Sequence, residues 1–126
     1  MLSKFFTKLF YIKIYRNKFV VSDVEKNRES TFSATHPFTT SRLLVGEFTE
    51  AESLLSSALK QEYKGKWFSP SPIVIIQAME MAEGGLSSVE SSVIRELAFG
   101  AGARKVLLWE GKTLSSEEVI EKAKNI

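Results

Sequence analysis

The sequence predicts an α/β domain built on a mixed five-stranded sheet, with elements in the order β-β-β-α-β-α-β-α. Three observations carry this prediction. Alternating or β-branched stretches recur three times before residue 35, at hairpin spacing. Two short apolar runs, Ile73–Ile76 and Val106–Trp109, read as strands buried on both faces. Between and after them lie helical patterns opened by Ser/Thr-x-x-Glu signals.

The first strand is expected where Phe10, Ile12 and Ile14 alternate with Tyr11, Lys13 and Tyr15, the period of a half-buried strand. Arg16-Asn17-Lys18 is a turn, Phe19–Val24 a second strand, Glu25–Arg28 a charged turn and Ser30–Ala34 a third strand, which together form an antiparallel meander. Residues 35–46 read as a loop whose end, Leu43-Leu44-Val45, packs onto the core. A first helix starts at Thr49, with Thr49 and Glu52 as a capping box and Ala51, Leu54, Leu55, Ala58 and Leu59 as its apolar face. Ser69-Pro70-Ser71-Pro72 forces an extended entry into the fourth strand. Gly84-Gly85 makes a turn. Ser87 and Glu90 cap a second helix whose inward face is Val89, Val93, Ile94, Leu97, Ala98 and Ala101, with Gly102 at its C-terminal end. Ser115 and Glu118 cap a third, with Leu114 and Val119 at the spacing of a hydrophobic staple.

Composition bounds the function. The 126 residues suffice for one domain and one core, spanning 1–126 with residues 1–9 as an amphipathic N-terminal segment. There are 17 basic and 15 acidic residues, a net charge of +2, which points away from nucleic acid as the partner of the whole chain. The basic excess is local: residues 1–28 hold seven Lys and Arg against Asp23 and Glu25. The absence of cysteine excludes disulfides and thiolate chemistry and fits the cytoplasm. The one histidine, His36, has no second histidine nearby, so no zinc site is expected. No run reaches the roughly 20 apolar residues of a membrane span.

The element order is the ribonuclease-H-like arrangement also used by the actin and Hsp70 superfamily. Three stretches resemble MreB, the bacterial actin-like rod-shape-determining family: Leu43-Leu44-Val45-Gly46-Glu47-Phe48-Thr49-Glu50-Ala51-Glu52, Phe68 to Ile75, and Ser87-Ser88-Val89-Glu90 through Arg95-Glu96-Leu97-Ala98 to Gly100-Ala101-Gly102-Ala103-Arg104-Lys105-Val106. The likeness is good over residues 43–110 and looser over 1–34, and covers subdomain IA alone. It implies an actin-like fold and a link to cell-shape or membrane-associated cytoskeletal assembly. The family's first phosphate loop follows an Asp-x-Gly-Thr pattern; here Lys13, Ile14, Tyr15 and Arg16 stand in that place. A lysine does not replace the metal-organising aspartate, and tyrosine does not give the glycine's backbone access. Glu90 matches the family's water-positioning glutamate but also serves as a capping carboxylate. Glu110 resembles a glutamate after the last strand, followed here by Gly111-Lys112 in place of proline.

The expectation is therefore a non-catalytic MreB-like interaction module, with no catalytic residue, cofactor or metal. Its partner would be a protein, either an MreB-type filament or another copy, with a weak peripheral contact at the inner face of the membrane. Two other readings stand beside it: a nucleotide-binding fragment that completes an ATPase site with a second chain, and a basic nucleic-acid-binding module. The candidate contact residues are Leu2, Lys4, Phe5, Phe6, Lys8 and Leu9, which form either an interfacial anchor or a helix or strand extension docked on the chain's own core, and Trp67-Phe68, which either covers one end of the core or meets a partner. Glu80, Glu83 and Glu90 lie near Gly84-Gly85, but the first strand carries Lys13 and no acid, which points away from a nuclease, and Gly84-Gly85 lacks phosphate-loop spacing.

Overall fold

A computed structural model describes residues 8–62 and 71–126. Five strands form one sheet: β1 (Leu9–Tyr15), β2 (Lys18–Asp23), β3 (Arg28–Ser33), β4 (Ile73–Ala78) and β5 (Lys105–Leu108). Their spatial order is β3-β2-β1-β4-β5. β1, β2 and β3 run antiparallel, while β4 runs parallel to both β1 and β5. Three helices complete the domain: α1 (Phe48–Glu62), α2 (Ser88–Gly100) and α3 (Ser116–Ala123).

Strand periodicity divides the sheet into two faces. Phe10, Ile12, Ile14, Phe19, Val21, Val74 and Ile76 point to one side and meet Ala51, Leu55 and Leu59 of α1 and Ile94, Leu97 and Ala98 of α2 in the main core. Burying a side chain such as Leu55 or Leu97 contributes about 1.5–3 kcal/mol. The other face carries a smaller core in which α3 places Val119 against Tyr11 and Ile75, flanked by Leu114 and Trp109. β4 lies between both layers, which is why its run is continuous rather than alternating.

The 35–46 loop is built into the core through Phe38, which is buried and stacks on Phe19 at a centroid distance of 4.9 Å. Asn17, at the β1–β2 turn with φ 56°, accepts the Phe38 and Thr39 N–H groups on Oδ1. A left-handed turn residue that also accepts two bonds is a task suited to asparagine.

Two of the three expected capping boxes form. Ser87 and Ser115 accept from the N–H of Glu90 and Glu118, whose carboxylates accept back from the serine N–H groups. The Thr49–Glu52 box does not form: α1 already starts at Phe48, so Thr49 lies inside the first turn, and the Ala51 N–H bonds the Glu47 carbonyl. Glu52 instead passes over Gly100 of α2, where a Cβ would come within 1.8 Å of its carboxylate. Val89 also departs from expectation. It stands on α2 outside the inward face and is 69% exposed. Trp109 follows the last strand rather than ending it, and β3 begins at Arg28, two residues before the expected start.

Candidate functional site

In an open α/β sheet, chemistry is expected beyond the carboxyl ends of the parallel strands. Here that edge is made by the β1–β2 turn at Arg16-Asn17, the segment after β4 from Met79 to Leu86, and the segment after β5 from Trp109 to Leu114. Four carboxylates at or beside this edge are engaged by the chain's own backbone, while Glu83 is exposed. Glu80 accepts the Arg16 N–H at 3.1 Å. Glu110 accepts the Leu86 N–H at 3.1 Å. Glu90 accepts the Ser87 N–H at 2.8 Å, and Glu118 the Ser115 N–H at 2.8 Å. This last bond is the main reason the Glu118 carboxyl is held below the usual range. The backbone N–H groups of Arg16, Leu86, Ser87 and Ser115 are thus bonded to side-chain carboxylates. Among the described residues no cluster of acidic or histidine side chains is arranged to hold a metal ion.

Behind this edge lies a polar network. The Tyr11 hydroxyl donates to Gln77 Oε1 and accepts the Leu114 N–H, while Gln77 Nε2 donates to the Gly111 carbonyl at 2.7 Å. Burial pushes the Tyr11 phenol up from its ordinary 10.0, against the lowering effects of the Leu114 bond and nearby Lys13. The network ties the β5–α3 connection to β1 and β4. Lys122 adds a contact over the Trp109 ring, 4.0 Å from its centroid.

α3 is too short to cover the whole second face. Beside it a polar cavity of about 370 Å³ opens over β1 and β2, lined among others by Tyr11, Lys13, Ser22, Arg28, Glu29 and Ser115. Lys13 spans its floor to Glu29 at 3.1 Å, and this bond holds the Glu29 carboxyl below its ordinary value. Lys13, expected at the position of a metal-organising aspartate, is thus one half of an ion pair.

The candidate contact residues fare unequally. Leu2, Lys4, Phe5, Phe6, Trp67 and Phe68 lie outside the described residues. At Lys8 the structure departs from the interfacial-contact reading and fits the alternative of a strand extension docked on the core. Its side chain is 5% exposed, and its ammonium bonds the carboxylate of Asp23, whose side chain is 0% exposed, at 2.7 Å. A buried ion pair here fixes the start of β1 against the end of β2. Leu9 belongs to β1 and packs partly buried on the smaller core. The Ile73 N–H bonds the Lys8 carbonyl, so residues 8 and 73 stand side by side at the amino edge of β1 and β4.

An exposed apolar feature missed in the sequence lies elsewhere. Leu43 (40% exposed) and Val89 (69% exposed) border a shallow groove with Leu86 and Val93. The signal was the Leu43-Leu44-Val45 run: only Leu44 and Val45 are buried, because the turn that carries them leaves Leu43 outside. Among the described residues no helix is long and apolar enough to cross a membrane.

No family model matches the chain. It is 37% identical over 100 residues to the uncharacterized protein YjaA of Escherichia coli, an alignment covering 75% of this chain and 77% of that protein. It is also 36% identical over 67 residues to the cell shape-determining protein MreB of Haemophilus influenzae, and equally to that of Escherichia coli. These alignments cover 53% of this chain and 18% of MreB, so the chain corresponds to under a fifth of that protein's length.

Proposed function

The chain belongs to the family of Escherichia coli YjaA, and we propose that it is a non-catalytic, MreB-like interaction module on a ribonuclease-H-like, actin-related fold. The observation that carries this reading is the occupied carboxyl edge. Where an actin-like subdomain would present free backbone N–H groups to phosphate, Arg16 and Leu86 direct theirs to Glu80 and Glu110. A negative side chain in that place repels a nucleotide phosphate instead of coordinating it. The sheet order β3-β2-β1-β4-β5 supports the fold assignment. The distant similarity to MreB supports a cytoskeletal relation.

Binding function then falls to surface. The groove bordered by Leu43 and Val89 lies within residues 43–110, the stretch that resembles MreB. We assign to it the contact with an MreB-type filament at the cytoplasmic face of the membrane. Exposed apolar side chains of this kind lose water on docking, at about 25 cal/mol per Å² removed.

A calorimetric titration with Mg-ATP to millimolar concentration tests the premise. No saturable heat is expected, and saturable binding would overturn it. Co-sedimentation with polymerised MreB tests the surface. Wild-type protein should pellet with filaments, and a Leu43→Glu/Val89→Glu double variant should stay in the supernatant. Equal pelleting of the two would remove the groove from the proposal.

A further inference from the structure

β3 ends the sheet, and its outer edge is unpaired among the described strands. Natural edges are usually blunted by lysine, proline or a bulge. β3, Arg-Glu-Ser-Thr-Phe-Ser, has no lysine or proline, carries its charges only at Arg28 and Glu29 at its start, and pairs its six positions one-to-one with β2 without a bulge. The hydrogen-bond parity of this edge can be read directly. The Ala34 N–H bonds the Asn17 carbonyl at 2.8 Å, in register with the Lys18–Ser33 pair. Even-numbered residues of β3 therefore direct their backbone groups toward β2, and Glu29, Thr31 and Ser33 direct theirs outward.

From this edge we propose that the chain forms a two-fold homodimer by antiparallel pairing of β3 with β3 of a second copy, giving a continuous ten-stranded sheet. A two-fold axis perpendicular to the sheet keeps both faces aligned, so only residues of equal parity can stand opposite each other. Centring the axis on Thr31 sets Thr31 against its own copy and Glu29 against Ser33. All three outward-facing residues then bond, with about six inter-chain backbone hydrogen bonds. Centring on Ser30 yields only about four. The Thr31 register also places the two Phe32 rings as diagonal neighbours on the helical face, within reach of each other. Phe32 is partly buried against the main core, so the pairing would extend that core across the axis. No like charges stand opposite each other, and Arg28 keeps its 3.0 Å bond to Glu62 of its own chain. Such self-complementarity selects a second copy over an unrelated strand.

A residue on the axis meets itself, which makes the test sharp. Sedimentation at tens to hundreds of micromolar should give twice the 14.2 kDa monomer mass for the wild type. Thr31→Lys and Thr31→Glu should each sediment as monomers with unchanged circular dichroism, and an equimolar mixture of the two should recover the dimer mass. The chain has no cysteine, so Thr31→Cys supplies its sole thiol. Opposed Cα atoms about 5.5 Å apart suit a disulfide. Mild oxidation should link this variant as a dimer, whereas Lys105→Cys, exposed on β5 at the opposite edge of the sheet, should stay monomeric. A wild type that remains monomeric throughout, or a Thr31→Lys variant that dimerises as well as wild type, would overturn the proposal.

Discussion

The Lys8–Asp23 pair offers a demanding test of how this fold is held together. Both groups are almost wholly out of water, and their separation is 2.7 Å. Asp23 also accepts the Lys26 N–H at 3.2 Å, so its carboxylate organises the β2–β3 turn as well as the start of β1. Desolvating two charges costs nearly as much as their attraction returns, so the pair adds little net stability over an apolar pair. Removing one partner is different. Asp23→Ala strands a buried ammonium and frees the turn N–H, for a loss of about 3–5 kcal/mol. For a domain of this size that is a large share of total stability, on the order of 0.05–0.15 kcal/mol per residue. Each kcal/mol shifts the midpoint by about 4 °C, so Tm should fall by about 12–20 °C. Urea unfolding followed by circular dichroism, supported by thermal melts, measures this directly. The double variant Lys8→Met/Asp23→Leu should recover most of the loss, because it removes both desolvation costs together. An Asp23→Ala loss below about 1 kcal/mol, or a double variant no more stable than the single one, would refute the buried-pair argument and return Lys8 to the surface.

Other consequences follow from the same physical reasoning. Tyr11→Phe removes the acceptor of the Leu114 N–H and the donor to Gln77, and should cost about 1–3 kcal/mol while speeding amide exchange in the β5–α3 connection. Because burial raises the Tyr11 pKa above 10.0, the unfolded chain releases that proton first. The associated stability is intact below pH about 10 and is lost as pH rises beyond it, so Tyr11→Phe should flatten the alkaline limb of a stability–pH curve. Asn17→Gly keeps the left-handed turn but orphans the Phe38 and Thr39 N–H groups, for a loss of about 1–3 kcal/mol in urea unfolding. Asn17→Ala should lose about 1–2 kcal/mol more, from the positive φ. Leu97→Ala empties a site with no solvent exposure under α2 and should cost about 2–5 kcal/mol, measured the same way.

The elements themselves were legible because each is written in local chemistry. Alternation in Phe10–Tyr15 and the continuous run of Ile73–Ile76 are consequences of one-sided and two-sided burial. Ser87 with Glu90 and Ser115 with Glu118 mark helix starts by satisfying N–H groups that no helix can satisfy internally. Tertiary structure decided matters that depend on residues distant in sequence. Lys8 looked like a surface cation because its hydropathy is polar, but Asp23, fifteen residues away, draws it inside. Thr49 carried the cap signal, yet α1 starts at Phe48, and the expected partner Glu52 lies against Gly100 on another helix. Phe38 gave no periodic signal, and it became core only once the β1–β2 turn supplied Asn17 and Phe19 to receive it. In one dimension Glu80 reads as one of three grouped acids and Glu110 only as a glutamate after the last strand. Only the packing of the loops after β4 and β5 shows them bonded to the backbone of Arg16 and Leu86. Local periodicity and capping are short-range and survive in the sequence, whereas the pairing of charges, donors and acceptors is set by which loops the sheet order brings together.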